Sequence, residues 1–329
     1  MIQHFRFGSP IRTDSVVQDI PVSSDAVPFL TADADGWVYT MAPDAIVYGL
    51  GEMPRGINKR GWHYVANNTD ESHHGENKVS YYGAHNFLLI DGGPGGDLFG
   101  VFVDFPGKVH YDIGYTVHDT LRFATEEPDY ELYILTGADP NNIAHQFRQL
   151  IGRSYIPPKW AFGLQQSRWG YKTAEDVREV ARQYKENDLP LDMICMDIDY
   201  MQDYADFTIN KERFPDLAAL AAELKAQGIR LVPIIDAGVR IDPEEPTCTE
   251  GLEKGYFCKK EDGTPFVAAV WPGKAYFADF LRPEVRAWFG HRYKVLTDCG
   301  IEGFWNDMNE PALFYSPDRL KAFLDSMHE

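Results

Sequence analysis

The 329-residue chain carries 50 acidic against 31 basic side chains, a net charge of −19, and is 44% hydrophobic and 14% aromatic. That composition supports a packed core and excludes a disordered chain. So acidic a surface repels phosphate backbones and anionic lipid, so neither nucleic acid nor membrane is expected as a partner, whereas a neutral substrate meets no such barrier.

The length suggests about two domains. The N-terminus has no apolar run of signal-peptide length, and no segment approaches the ~20 apolar residues of a membrane span. Cys195, Cys248, Cys258 and Cys299 are too widely spaced for a ligand or redox motif. Cys195 lies inside an apolar run and reads as a small core residue. A reduced, cytoplasmic protein is the simplest expectation.

Residues 1 to 150 read as all-β. Short runs such as Trp37-Val38-Tyr39, Phe87-Leu88-Leu89-Ile90, Leu98–Val103 and Leu132–Leu135 are bounded by Gly, Pro and Asp turns. The glycine-rich stretch Asp91–Asp97 resembles a phosphate loop only superficially. No helix pattern and no Lys-Ser/Thr follow it, so a hairpin connection in a sandwich is expected. The polar loop Asn67–His74 reads first as a solvated surface loop. Its vicinal His73-His74 lacks the spacing of a metal pair.

The pattern changes at Tyr155-Ile156-Pro157-Pro158, where two prolines set an extended linker. A first strand is expected over Ala161-Phe162-Gly163-Leu164, ending in Gln165–Gly170. A helix is expected from Thr173, with Asp176 completing a capping box and Val177, Val180, Ala181 and Tyr184 forming its apolar face. Strand two, Leu191–Met196, ends in Asp197-Ile198-Asp199. The next helix is read from Pro215 with Leu217, Leu220, Ala221 and Leu224, stopping at Gly228. Strand three, Ile229–Ile235, ends in Asp236. A long connection from 237 to 281, rich in aromatics, reads as a functional loop and contains Val270-Trp271-Pro272-Gly273. A helix from Pro283 then leads to strand four, Gly300–Trp305, which ends in Asn306-Asp307.

Four near-continuously apolar strands alternating with helices imply a parallel sheet, in a barrel or a doubly wound form. No Gly-x-Gly-x-x-Gly follows any strand, so no dinucleotide cofactor is expected. Acids end strands two, three and four, and Trp169, Trp271 and Trp305 fall at similar places. A buried strand ending in an acid is costly unless the acid opens onto a polar cleft. Converging carboxylates and indoles suit a neutral polyhydroxylated ring. Plain structural roles fit several of these residues too: Asp199 as a loop cap, Asp236 as a turn or helix cap, Trp271 as core packing, Asn309 as a turn cap, and Glu310 as a support paired with an arginine. Asp307, framed by Trp305 and Met308, is the hardest to explain structurally.

Trp305-Asn306-Asp307-Met308-Asn309-Glu310-Pro311 resembles the nucleophile signature of glycoside hydrolase family 31, a family of retaining α-glucosidases. Asp197-Ile198-Asp199-Tyr200-Met201 and Trp271-Pro272-Gly273 resemble its second and third signatures. The resemblance implies an α/β fold: a (β/α)8 TIM barrel, of which about the first half is present over residues 154–329, preceded by a β-sandwich over residues 1–153. It implies Asp307 as nucleophile and Asp197 as a ligand of sugar hydroxyls. Ile198, Ile234, Trp271, Trp305 and Met308 would line that subsite, Trp169 would border the next, and Asp70 would reach in from the N-terminal loop. Asp199, Asp236 and Glu310 would be supports. No metal or other cofactor is implied.

The implied activity is retaining exo-hydrolysis of terminal α-linked glucose from small maltose- or isomaltose-type oligosaccharides. A transglucosylase would use the same intermediate. The family's acid/base comes from a strand after the nucleophile, so the partner expected is a C-terminal half of the enzyme. The present half is expected to be an inactive or split carbohydrate-binding piece by itself. The resemblance also allows homo-oligomers.

Overall fold

The alternating apolar runs of the first half pair as antiparallel strands with one face inward. A computed structural model describes residues 1–71 and 73–314; Ser72 of the polar loop and residues 315–329 of the expected half-barrel lie outside the described residues. The chain divides into two compact units, Met1–Tyr155 and Ile156–Glu329.

In the first unit the described strands are β1 (Ile2–Phe7), β2 (Thr31–Asp33), β3 (Gly36–Thr40), β4 (Ile46–Gly51), β5 (Trp62–Ala66), β6 (Ala84–Asp91), β7 (Leu98–Asp104), β8 (Val109–Ile113), β9 (Thr120–Thr125) and β10 (Tyr130–Thr136). They form two five-stranded sheets, ordered β1-β10-β7-β6-β4 and β2-β3-β9-β8-β5. Val47, Leu88, Val101, Leu121, Phe123 and Ile134 interleave between the sheets, as in a sandwich. The glycine-rich stretch after β6 is the hairpin connection to β7, closed by Gly92 N–H donating to Asp97 O at 2.8 Å.

One element contradicts the all-β reading of residues 1–150. Helix α1 (Pro140–Leu150) is capped by Asp139, which accepts from Asn142 N–H, and has Pro140 in its first turn. Ile143, Phe147 and Leu150 lie on one helical face and pack on the outer side of the first sheet with Leu89, Phe102 and Tyr133.

The second unit is built on parallel strands. Ala161 and Phe162 do not form the expected first strand; Lys159–Phe162 is a 3-10 turn, and the strand is β11 (Gln165–Arg168). The carbonyl of Leu164 accepts from both Asp192 and Met193 N–H, which starts the pairing after the apolar stretch. Helix α2 (Ala174–Glu186) opens with the expected capping box, both bonds between Thr173 and Asp176 being formed. Then follow β12 (Met193–Met196), α3 (Leu217–Ala226) and β13 (Arg230–Asp236). Pro215 lies outside α3, because Asp216 takes the cap position and accepts from Ala219 N–H. Gly228, two residues past α3, has φ +86°, a left-handed turn that side-chain residues resist.

The connection from 237 to 281 is ordered: β14 (Gly238–Arg240), α4 (Pro246–Glu253), β15 (Val267–Val270) and β16 (Gly273–Phe277), with a three-stranded sheet β14-β16-β15. Helices α5 (Pro283–Arg292) and α6 (Lys294–Thr297) lead to β17 (Trp305–Asp307). This last strand is shorter than expected, since residues 301–304 are not part of a strand. Gly303 lies so close to the Trp160 ring that a Cβ there would meet its Cη2 at 2.8 Å.

The parallel sheet runs β11-β12-β13-β17. Ile194, Met196, Leu231 and Ile235 pack on the helix side with Val177, Leu220, Leu224 and Val285. Met193, Cys195 and Val232 pack on the other side with Trp160, Ala161 and Trp305. Burial on both faces explains the near-continuous apolar strands, and it places Cys195 on the concave side of the sheet.

Thr173→Ala removes one reciprocal bond of the capping box and should lower the stability of the second unit by about 1 kcal/mol in urea unfolding, while Thr173→Ser stays near wild type. Equal losses for both variants would show that the methyl, not the hydroxyl, matters.

Candidate active site

The site is an outcome of strand parity and register. On β12, Met193 and Cys195 face the concave side, and Asp197 follows at the same alternation. On β13, Val232 faces that side and Asp236 lies four residues on. On β17, Trp305 and Asp307 share the face. The register pairs Ile234 with Trp305 and Asp236 with Asp307. Asp236 and Asp307 therefore end neighbouring parallel strands side by side, with Asp197 one strand away. In a parallel barrel this C-terminal end carries the chemistry.

Crowding three acids has an electrostatic consequence. Asp236 is 2% exposed, and neither of its carboxyl oxygens has a hydrogen-bond partner. Burial, then the neighbouring Asp307 and Asp197, pushes its pKa up to about 7. Asp197 is also raised, by burial and by Asp199 and Asp307, although the N–H of Ile198 donates to its Oδ1 at 2.8 Å and opposes the shift. Asp236 thus titrates near neutral pH, far above the range in which a carboxyl normally gives up its proton.

Asp199 has a cation beside it. The aspartate is buried, and Arg213 Nη1 lies 3.4 Å from its Oδ1. Asp236 caps no helix; it is the final residue of β13. Glu310 does not match the expected arginine-paired support: among the described residues it has no such partner, and its Oε2 is buried without a hydrogen bond. Ile198 and Ile234 are fully buried, and Trp305 and Met308 are half-buried. Met308 has φ +60°, a left-handed conformation unusual for its residue type, so the chain turns sharply just after Asp307.

Trp271 is not core. It occupies the two-residue Trp271-Pro272 turn of the β15–β16 hairpin and is 39% exposed. Its ring lies 5.2 Å from that of Trp169, itself 57% exposed, and 4.7 Å from that of Phe314. The tilted Trp169–Trp271 pair offers apolar surface suited to the C–H faces of a sugar. Asp70 belongs to the first unit, where it is exposed on the loop after β5 and accepts from Tyr82 Oη at 3.0 Å.

Sequence reading missed Asp206, Tyr200 and Tyr293. Tyr200 is fully buried and donates to Ile234 O at 2.7 Å; Tyr293 donates to Asn306 Oδ1 at 2.5 Å. Asp206 stands between Ala205 and Phe207, and no local pattern marks it as part of the site. Among the described residues no group of His, Cys, Asp and Glu is arranged to hold a metal ion, and no helix is long and apolar enough to cross a membrane.

Comparison with known proteins accords with this geometry. The profile described as "Glycosyl hydrolases family 31 TIM-barrel domain" matches residues 154–328, and "Glycosyl hydrolase 31 N-terminal galactose mutarotase-like domain" matches residues 21–112. Alpha-glucosidase 2 of Bacillus thermoamyloliquefaciens is 42% identical over 81% of this chain and 34% of its own length. An alpha-glucosidase of Saccharolobus solfataricus is 29% identical over 85% of this chain and 40% of its own. A Flavobacterium johnsoniae GH31 dextranase solved with glucose superposes with a TM-score of 0.77 at 26% identity, covering 90% of this chain and 36% of the other. The chain spans about a third to two fifths of the length of these relatives.

The raised pKa of Asp236 sets a pH dependence. Below its ordinary value of 3.8 the group is protonated folded or unfolded; as pH rises from 3.8 towards about 7 the unfolded chain releases the proton first and stability falls. The loss levels off above that range at up to roughly 4 kcal/mol. Asp236→Asn abolishes it, so denaturant unfolding curves of variant and wild type should converge near pH 4 and separate by pH 8, with the variant the more stable. A constant offset across that range would refute the assignment.

Proposed function

The chain belongs to glycosyl hydrolase family 31, and from that premise we propose that it supplies the nucleophile half of a retaining exo-α-glucosidase site for small maltose- or isomaltose-type oligosaccharides. The observation that carries this reading is the register of β13 and β17, which sets Asp307 at a strand end beside Asp236, whose pKa is raised.

Asp307 is the nucleophile. Unlike Asp236 it is only partly buried, so its carboxylate opens to the concave side. It attacks the anomeric carbon from the face opposite the leaving oxygen and forms a β-linked glycosyl ester. Water then attacks the same carbon and restores the α configuration. A second carboxyl about 5–5.5 Å away must protonate the leaving oxygen and later deprotonate the water. Neither neighbour suits that double role, since Asp236 has both oxygens buried and Asp197 is held by its own turn. That acid comes from strands that complete the barrel. Asp197 accepts hydroxyl hydrogen bonds from the sugar, and the Trp169–Trp271 pair covers its apolar faces.

A split or carbohydrate-binding half is the second reading. It is favoured by β11 and β17, each with a single strand neighbour in the parallel sheet of the described residues. It predicts weak sugar binding without turnover by these 329 residues. Transglucosylation would proceed from the same ester when a sugar hydroxyl replaces water. Cys195, Cys248, Cys258 and Cys299 are all unpaired, which supports a reducing, cytoplasmic setting.

In a protein carrying the whole barrel, Asp307→Gly should lower kcat on an aryl α-glucoside by at least roughly 1,000-fold, as expected when a covalent nucleophile is removed. Azide should restore turnover and yield the β-glucosyl azide. Retained activity, or an α-azide product, would overturn the role given to Asp307.

A further inference from the structure

The segment between β12 and α3 holds three non-glycine residues in the left-handed region: Asp203 at φ +49°, Tyr204 at +60° and Phe207 at +61°. Such backbone is unfavourable for these residue types and persists only when its surroundings hold it. Two features hold it here. Thr208 Oγ1 donates to Ala205 O at 2.5 Å and accepts from Gln202 N–H at 2.9 Å. Asp206, 4% exposed, reaches across to the end of β13, where its Oδ1 accepts the backbone N–H of Asp236 at 3.1 Å.

That bond joins a strained loop to the residue whose carboxyl lies beside Asp307. We propose that Asp206 is a positioning residue of this site: by holding the Asp236 backbone it fixes the Asp236 carboxyl against Asp307. The proposal rests on the reading of Asp307 as the nucleophile.

The surroundings of Asp206 say which chemical form does this. Among the described residues, the ionisable groups that face it are Tyr200 after β12, Asp236 on β13, Glu245 at the cap of α4 and Tyr293 after α5; none of these is a cation. Burial, then Asp236, pushes its carboxyl well above the usual range. These surroundings favour the uncharged carboxyl, and its Oδ1 receives the Asp236 N–H, while Oδ2 is buried without a partner among the described residues. What counts is the place of an acceptor, not a charge. Asparagine reproduces that acceptor; glutamate keeps the carboxyl but moves it by a methylene.

The test compares Asp206→Asn with Asp206→Glu in the protein carrying the whole barrel, using an aryl α-glucoside across pH. Asp206→Asn should keep kcat and both limbs of the pH profile. Asp206→Glu should lose on the order of 100-fold in kcat, the effect of a misplacement near 1 Å, with its profile shifted because Asp236 has moved. Glutamate performing as well as or better than asparagine would overturn the proposal. A second readout needs no turnover: exchange of the Asp236 amide hydrogen in the 329-residue chain should be as slow in Asp206→Asn as in wild type and faster in Asp206→Glu. Equal exchange rates in all three would also overturn it. Activity surviving in Asp307→Asn would sink the nucleophile assignment instead, leaving the amide result to stand on its own.

Discussion

Everything at the site depends on one pairing: β17 lies parallel to β13 in the register that sets Asp307 beside Asp236. A slip of one residue would turn Asp307 to the helix side and bring Asn306 to the concave face. The apolar strand interiors guard against that slip. Met193, Cys195 and Val232 pack with Trp160 and Trp305 on one face, and the helices cover the other. Side-chain burial well below the strand ends therefore decides which atoms meet at the mouth.

The same pairing creates an electrostatic problem that falls mainly on one residue. Three acids converge where no cation faces Asp236 among the described residues. Of the three, Asp236 is the most enclosed, so desolvation raises its pKa to about 7. Asp197 keeps a backbone donor, and Asp307 keeps its opening to the concave side. Like residues in one cluster thus meet different surroundings, the usual way in which paired carboxyls acquire separate roles.

Local signals in the sequence were legible, and long-range ones were not. The capping box of Thr173 and Asp176, the apolar stripe of α3 and the stop at Gly228 are written within a few residues and form as expected. The acids at strand ends were legible as well, since β12, β13 and β17 each finish where an apolar run meets Asp. Strand starts were not. Ala161 and Phe162 have strand composition, yet backbone pairing begins four residues later with polar Gln165, because Leu164 supplies the carbonyl that Asp192 and Met193 address. Helix α1 was hidden by the strands before it, although Asp139-Pro140 is a sound helix start. Asp206 was out of reach, because nothing in its neighbourhood in the chain tells that it meets the backbone of residue 236.

The hairpin that carries Trp271 separates two kinds of tolerance to sequence change. Its strands hang from β14, which begins just past Asp236, so the indole is located by ladder pairing through β16. In the chain between Arg240 and Val267, the exposed turn at 259–264 can lengthen, shorten or diversify without displacing the ring, whereas Cys248 of α4 and Phe257 are buried in the core. The Trp271-Pro272 turn has no such latitude: with Val270 opposite Gly273, one added or deleted residue would re-aim the indole away from Trp169. Variation among relatives with this architecture should gather in the exposed turn at 259–264 and be scarce at the Trp271-Pro272 turn, so that the aromatic edge keeps its place.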